Sequence, residues 1–164
     1  VNDNEVIDII NHMVNFKSET RFIEYMDVGE SNKWDPSKVV SSESLLERIN
    51  EYYSLEQMKT ETSSTAKKWY IKNSNSSIGL ISSITQPFCS SCNRARLSVD
   101  GKLFTCLFAS NGFDIKSIIR SDDYEEKLLQ FFKKIWMERS DQYSQIRFTS
   151  KRDLPKVEMS YIGG

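Results

Sequence analysis

The feature that most limits how this chain can fold is the placement of its three cysteines. Cys89, Cys92 and Cys106 are spaced C-x2-C-x13-C, within Phe88-Cys89-Ser90-Ser91-Cys92-Asn93-Arg94-Ala95-Arg96 and Phe104-Thr105-Cys106-Leu107-Phe108. Two thiolates this close in sequence can grip one metal centre from a single turn, and the third must then return to the same place. Arg96-Leu97-Ser98-Val99 reads as a strand, Asp100-Gly101 as a tight turn and Lys102 to Cys106 as the returning strand. A hairpin from Arg94 to Cys106 would therefore close the long gap. An odd, clustered set of cysteines does not suit a secreted disulfide framework; in a reducing compartment it reads as metal ligation.

Charge is distributed in a way that matters near this motif. Arg94 and Arg96 alternate with Ala95, Lys102 lies nearby and only Asp100 opposes them, whereas the whole chain carries a net charge of -1. Bulk attraction to nucleic acid or an anionic membrane is thereby disfavoured, and any basic site must be local. If extended, the two arginines share a face, and paired guanidiniums beside a metal suit phosphate or purine acceptors. The plain alternative is a pair of surface ion pairs. No apolar run approaches a membrane span and residues 1–20 lack a secretory pattern, so a cytoplasmic protein is expected. There is no P-loop, no GxGxxG and no serine–histidine pair, and no residue is assigned a catalytic role. The chain begins at Val1 without a methionine and reads as a fragment.

Periodicity supplies the remaining elements. Asn2 is expected to cap a helix with Val6, Ile9, Ile10, Met13 and Val14 on its apolar face. His12, within it, reads as a surface or core residue. Thr20 to Met26 reads as a strand ending in Asp27-Val28-Gly29, the second half of a βαβ unit. Glu24, Met26 and Asp27 would lie at its carboxyl end, where α/β folds place ligands; on periodicity alone Met26 is core packing. Trp34 reads as a packing anchor in a polar loop. A helix is expected from about Ser42 to Tyr53, and a hairpin from Lys68-Trp69-Tyr70-Ile71-Lys72 through Asn73-Ser74-Asn75-Ser76 to the strand at Ser77–Ser82. Asp114 to Arg120 is expected to form a short helix. Ser121 would then cap the longest one, with Tyr124, Leu128, Phe131, Phe132, Ile135 and Trp136 on one face. The tail from Arg147 is basic and irregular.

Three thiols without an evident fourth ligand leave two inorganic readings open. Structural zinc requires four ligands and would have to recruit His12, a carboxylate or water. A [4Fe–4S] cluster on three cysteines leaves one iron open to a non-protein ligand. A zinc-stabilised nucleic-acid or protein interaction module, and a scaffold domain with unliganded thiols, are the competing classes.

The stretch Phe88-Cys89-x-x-Cys92-Asn93-Arg94-x-Arg96-Leu97, with Asp100-Gly101-Lys102-Leu103 and Cys106-Leu107-Phe108, closely resembles the C-terminal cluster motif of the MoaA family. These are radical S-adenosylmethionine GTP 3',8-cyclases of molybdenum cofactor biosynthesis. Supporting stretches are Arg21-Phe22-Ile23-Glu24-Tyr25-Met26-Asp27-Val28-Gly29, Thr62-x-x-Thr65-Ala66-Lys67 and the terminal Gly163-Gly164. The resemblance implies an α/β fold: residues 1–28 as the last helix and strand of an incomplete (β/α)6 barrel, and residues 29–164 as an α+β C-terminal domain with antiparallel strands. The family's N-terminal CxxxCxxC motif is absent, so the chain resembles the C-terminal half of such an enzyme, inactive alone.

By the same resemblance, Cys89, Cys92 and Cys106 hold a second [4Fe–4S] cluster whose open iron binds guanine. Arg94, Ala95 and Arg96 match substrate-binding positions, and Met26 matches a position lining the S-adenosylmethionine site. In the family's reaction a 5'-deoxyadenosyl radical takes hydrogen from C3' of GTP, and the resulting carbon radical attacks C8. The Gly163-Gly164 tail resembles one that reaches the active site, where glycines permit close backbone approach. Implied partners are GTP and the N-terminal radical half, with room for a homodimer and none for a membrane or nucleic acid.

Overall fold

A computed structural model describes residues 2–147 and 156–162. The chain divides into two compact units, one comprising residues up to Met26 together with Asp35–Ser91, the other Asp27–Trp34 together with the chain from Cys92 onward. The architecture is mixed α/β with antiparallel strand pairing in two sheets. Among the described residues, no helix is long and apolar enough to cross a membrane.

In the first unit the expected leading helix forms as α1 (Val6–Met13). Asn2 does not cap it with its side chain: a single 3-10 turn, Asp3–Glu5, intervenes, and Asn2 contributes its backbone carbonyl to the Glu5 amide. Val6 and Ile10 are buried, while His12 is exposed and tilted against the Phe16 ring. After a left-handed Lys17 (φ 50°), β1 (Glu19–Ile23) begins. It lies parallel to a strand fifty-eight residues later, in register Glu19↔Ser77 to Ile23↔Ile81.

Helix α2 (Ser42–Asn50) starts where Ser41 accepts the Ser44 amide at 3.1 Å, a side-chain N-cap. It ends three residues short of the expected Tyr53, and the Tyr52 and Tyr53 amides share the Ile49 carbonyl. The sheet then adds β2 (Leu55–Met58), β3 (Lys67–Ile71) and β4 (Ser77–Ile81), in the order β1-β4-β3-β2. The expected hairpin is β3–β4, pairing Tyr70 with Ser77 around a left-handed Asn73. Val6, Ile10, Leu45, Ile49, Ile71, Ile78 and Leu80 form one core between the two helices and the sheet.

In the second unit β5 (Arg96–Leu97) and β6 (Lys102–Phe104) form the expected hairpin. Its turn needs a glycine: Gly101 sits at φ 85°, and a Cβ there would come within 2.7 Å of the Lys116 Cβ. Ser98 closes the turn, accepting the Lys102 amide at 3.0 Å and donating to Asp100. A third strand, β7 (Phe113–Asp114), extends the sheet. Asp114 Oδ1 then accepts the Lys116 amide at the start of α3 (Lys116–Ile119).

The longest helix, α4 (Tyr124–Met137), begins after Asp123. Ser121 does not cap it; its hydroxyl donates to the Ile118 carbonyl and finishes α3 instead. Of the expected apolar stripe, Leu128, Phe131, Phe132 and Ile135 pack on Leu103 and Ile115, while Tyr124 and Trp136 remain exposed. A last turn, α5 (Tyr143–Ile146), follows.

Candidate metal centre

Cys89 opens the 3-10 turn Cys89–Ser91, the last residues of the first unit, and Cys92 begins the later segment of the second. All three cysteines are half-buried free thiols. Among the described residues, no group of three or more His, Cys, Asp or Glu side chains is gathered as a metal-binding set.

Within the second unit the β5–β6 ladder organises the motif. Arg96 pairs with Phe104 and Leu97 with Leu103. Two residues beyond the first pair lie Arg94 on one side and Cys106 on the other. Burial alternates along this stretch: Arg94, Arg96 and Ser98 are partly or fully buried, while Asn93, Ala95 and Leu97 are exposed. That is the period of an extended chain, and it puts both arginines on the inner side with Ala95 facing out.

The Cys92 sulfur is the best-supplied atom of the motif. Arg94 donates to it from Nη2 at 3.3 Å, and Arg139 donates from Nη2 at 3.4 Å. Burial pushes the Cys92 thiol pKa up, but the Arg94 amide, the Arg139 hydrogen bond and the charges of both guanidiniums outweigh it and hold the pKa below the usual thiol range. The Cys106 sulfur accepts the Phe108 amide at 3.4 Å.

Arg139 is the residue sequence reasoning missed here. Besides the Cys92 sulfur, its guanidinium donates to the Cys92 carbonyl at 2.9 Å and to the carbonyl of Thr105, the neighbour of Cys106. It is ion-paired with Asp141 at 3.3 Å and lies 4.8 Å from the Trp136 ring centroid. One planar fork thus fastens the strand leaving Cys92 to the strand entering Cys106. In the sequence it had no signal beyond being a cation at a helix end.

The donor set is chemically suited to an iron–sulfur centre. Thiolates are the ligands such clusters take, and hydrogen bonds to their sulfurs are what tune them. Cys92 and Cys106 already receive N–H···S bonds, and the positive surroundings of Cys92 favour the thiolate that binds metal.

The other sequence-derived candidates are located as follows. Met26 is half-buried just past β1. Glu24 is buried in the first unit and accepts from the Ser42, Ile84 and Thr85 amides at 2.8, 2.8 and 2.9 Å and from the Thr85 hydroxyl at 2.6 Å. Asp27 is buried in the second unit against Arg147 at 3.0 Å, Lys156 at 3.0 Å and the Tyr143 hydroxyl at 2.7 Å. Both carboxylates brace the fold. Gly163-Gly164 lies outside the described residues.

Comparison with known proteins fits this geometry. A family model described as Molybdenum Cofactor Synthesis C matches residues 18–145. Over its whole length the chain is 41% identical to a GTP 3',8-cyclase of Staphylococcus epidermidis, covering 50% of that protein, and 40% identical to one of Staphylococcus aureus, again covering 50%. The chain therefore spans about half the length of the curated relatives it matches, and the match falls on their C-terminal half. The domain match alone takes in most of the residues, including Cys89, Cys92, Cys106 and both arginines of the motif, so the chain belongs to the Molybdenum Cofactor Synthesis C family.

Proposed function

We propose that this chain is the C-terminal, substrate-holding half of a GTP 3',8-cyclase, acting in the cytoplasm, where its thiols stay reduced. In this reading Cys89, Cys92 and Cys106 hold a [4Fe–4S] cluster whose fourth iron takes the guanine of GTP. Such an open iron supplies a Lewis-acid contact that orients a purine. The observation that carries the reading is the Arg139 fork, which ties the Cys92 and Cys106 strands together beside two sulfurs already accepting N–H donors.

The chain's own residues supply orientation. Arg96, partly buried on β5, would hold a phosphate or purine acceptor, and Arg94 would add charge from beside Cys92. Ala95, exposed on the opposite side of the strand, is the third residue of this substrate-binding reading. Holding C3' of GTP toward a radical source is a positioning task, and positioning can account for most of the acceleration in such a step.

Residues 1–28 serve here as the closing helix and strand of a (β/α)6 barrel, and residues 29–164 as the cluster domain. The outer edge of β1, unpaired among the described residues, supports this use, while the parallel β1–β4 pairing joins β1 to the rest of the first unit. Met26, following that strand, would face S-adenosylmethionine carried by the N-terminal half.

Anaerobic reconstitution with iron and sulfide tests the reading. The expected product is brown, holds about four irons per chain and binds GTP. Arg96→Ala should weaken GTP binding by about tenfold or more, the loss of a charged hydrogen bond, with the cluster absorption unchanged. A colourless protein with one zinc would overturn the reading.

A further inference from the structure

We propose that Arg139 is a positioning residue that sets the reduction potential of the cluster through the Cys92 sulfur. The inference rests on the cluster reading above and concerns a side chain outside the cysteine–arginine motif.

Arg139 has nowhere else to go. Its side chain is only 10% exposed. Of the five N–H donors of a guanidinium, one faces Asp141, one the Cys92 carbonyl, and the Nη2 pair serves the Cys92 sulfur and the Thr105 carbonyl. The face of the group rests on Trp136. A cation committed this fully cannot swing out to hold substrate, which separates its role from that of Arg96. Its charge is instead fixed at the sulfur.

A fixed cation that donates a hydrogen bond to a ligating sulfur stabilises the more electron-rich state of the cluster. It therefore raises the potential and draws electron density from the iron that Cys92 binds. Asp141, paired at Nε, offsets part of the charge. The flat fork matters as much as the charge, because a lysine ammonium cannot reach two carbonyls and a sulfur in one plane.

The test is a redox titration of the full chain, reconstituted with iron and sulfide and reduced by one electron from dithionite. In Arg139→Gln the ratio of reduced to oxidised cluster at a fixed poise should fall about tenfold, a downward shift of ~59 mV for a one-electron couple. Arg139→Lys should shift the same way by less. Equal potentials in wild type and whichever variant loads would overturn the proposal. So would two variants that keep a native circular-dichroism spectrum yet take up no iron, since Arg139 would then only build the site. If the wild type itself takes up no iron, the cluster reading fails first, and the two failures are told apart by the iron content of the wild type alone.

Discussion

Glu24 and Asp27 sit three residues apart just past β1, and both are buried carboxylates, yet they are neutralised in different ways. Around Glu24 every described partner is uncharged: three backbone amides and one hydroxyl. One of those amides belongs to Ser42, at the N-terminus of α2, where the helix dipole also favours an anion. Around Asp27 stand two cations and one hydroxyl, leaving a surplus positive charge in the cluster. Arg147 is additionally stacked among rings, its guanidinium carbon 5.2 Å from the Phe108 centroid and 5.5 Å from that of Tyr143. Glu24 is thus a brace made by neighbouring loops, whereas Asp27 is a counterion that permits cations from the end of the chain to be buried. Burial pushes both carboxyl pKa values up. The surrounding donors more than reverse it, and both end below the ordinary carboxylate range.

The contrast is broken most severely at Asp27. Asp27→Asn keeps the shape but leaves the Arg147 guanidinium, whose side chain is 2% exposed, without its counterion. Removing one partner of a buried pair costs about 3–5 kcal/mol, and a urea melt at neutral pH should show that loss. Glu24→Gln strands no cation. It replaces one acceptor oxygen by a donor amide facing other donors, a penalty of about 1–3 kcal/mol. If the two isosteric changes prove equally costly, the charges around Asp27 contribute no more than amides do, and the comparison collapses.

The two carboxylates also mark where sequence reading stops. Local features were legible. Alternation and the Asn73-Ser74-Asn75-Ser76 turn locate the β3–β4 hairpin, Asp100-Gly101 locates the β5–β6 turn, and the cysteine spacing marks the candidate centre. Short or exposed strands were not legible. Leu55-Glu56-Gln57-Met58 has one half-buried position in four, so β2 lacks the alternation that an edge strand needs to be seen, and β7 is two residues long. Ser121 and Asn2 carry capping side chains, but α3 and a 3-10 turn claim those ends first. Partners distant in sequence were beyond reach altogether. Arg139 meets Cys92 across forty-seven positions, and Tyr143 meets Asp27 across a hundred and sixteen. Only the folded chain brings these groups together, and no local pattern encodes them.

The smallest effect sharpens the comparison best, because each carboxylate has one hydroxyl donor that can be removed alone. Thr85→Val takes a 2.6 Å bond from Glu24, and Tyr143→Phe takes a 2.7 Å bond from Asp27. Each should cost about 1 kcal/mol at neutral pH, since the other donors remain in place. Acid should shrink both differences. A carboxyl whose folded pKa is depressed contributes stability that is complete above its unfolded pKa and is lost as pH falls through the folded value. The hydroxyls are the leading favourable contributors at both sites, so the gap between each variant and wild type should narrow as pH falls below the ordinary carboxylate range and towards the depressed folded pKa. Tyr143→Phe preserves the ring against which Arg147 stacks, so its cost reports the hydroxyl alone. A penalty for Tyr143→Phe that persists undiminished in acid would mean that the hydroxyl's contribution does not depend on the charge of Asp27.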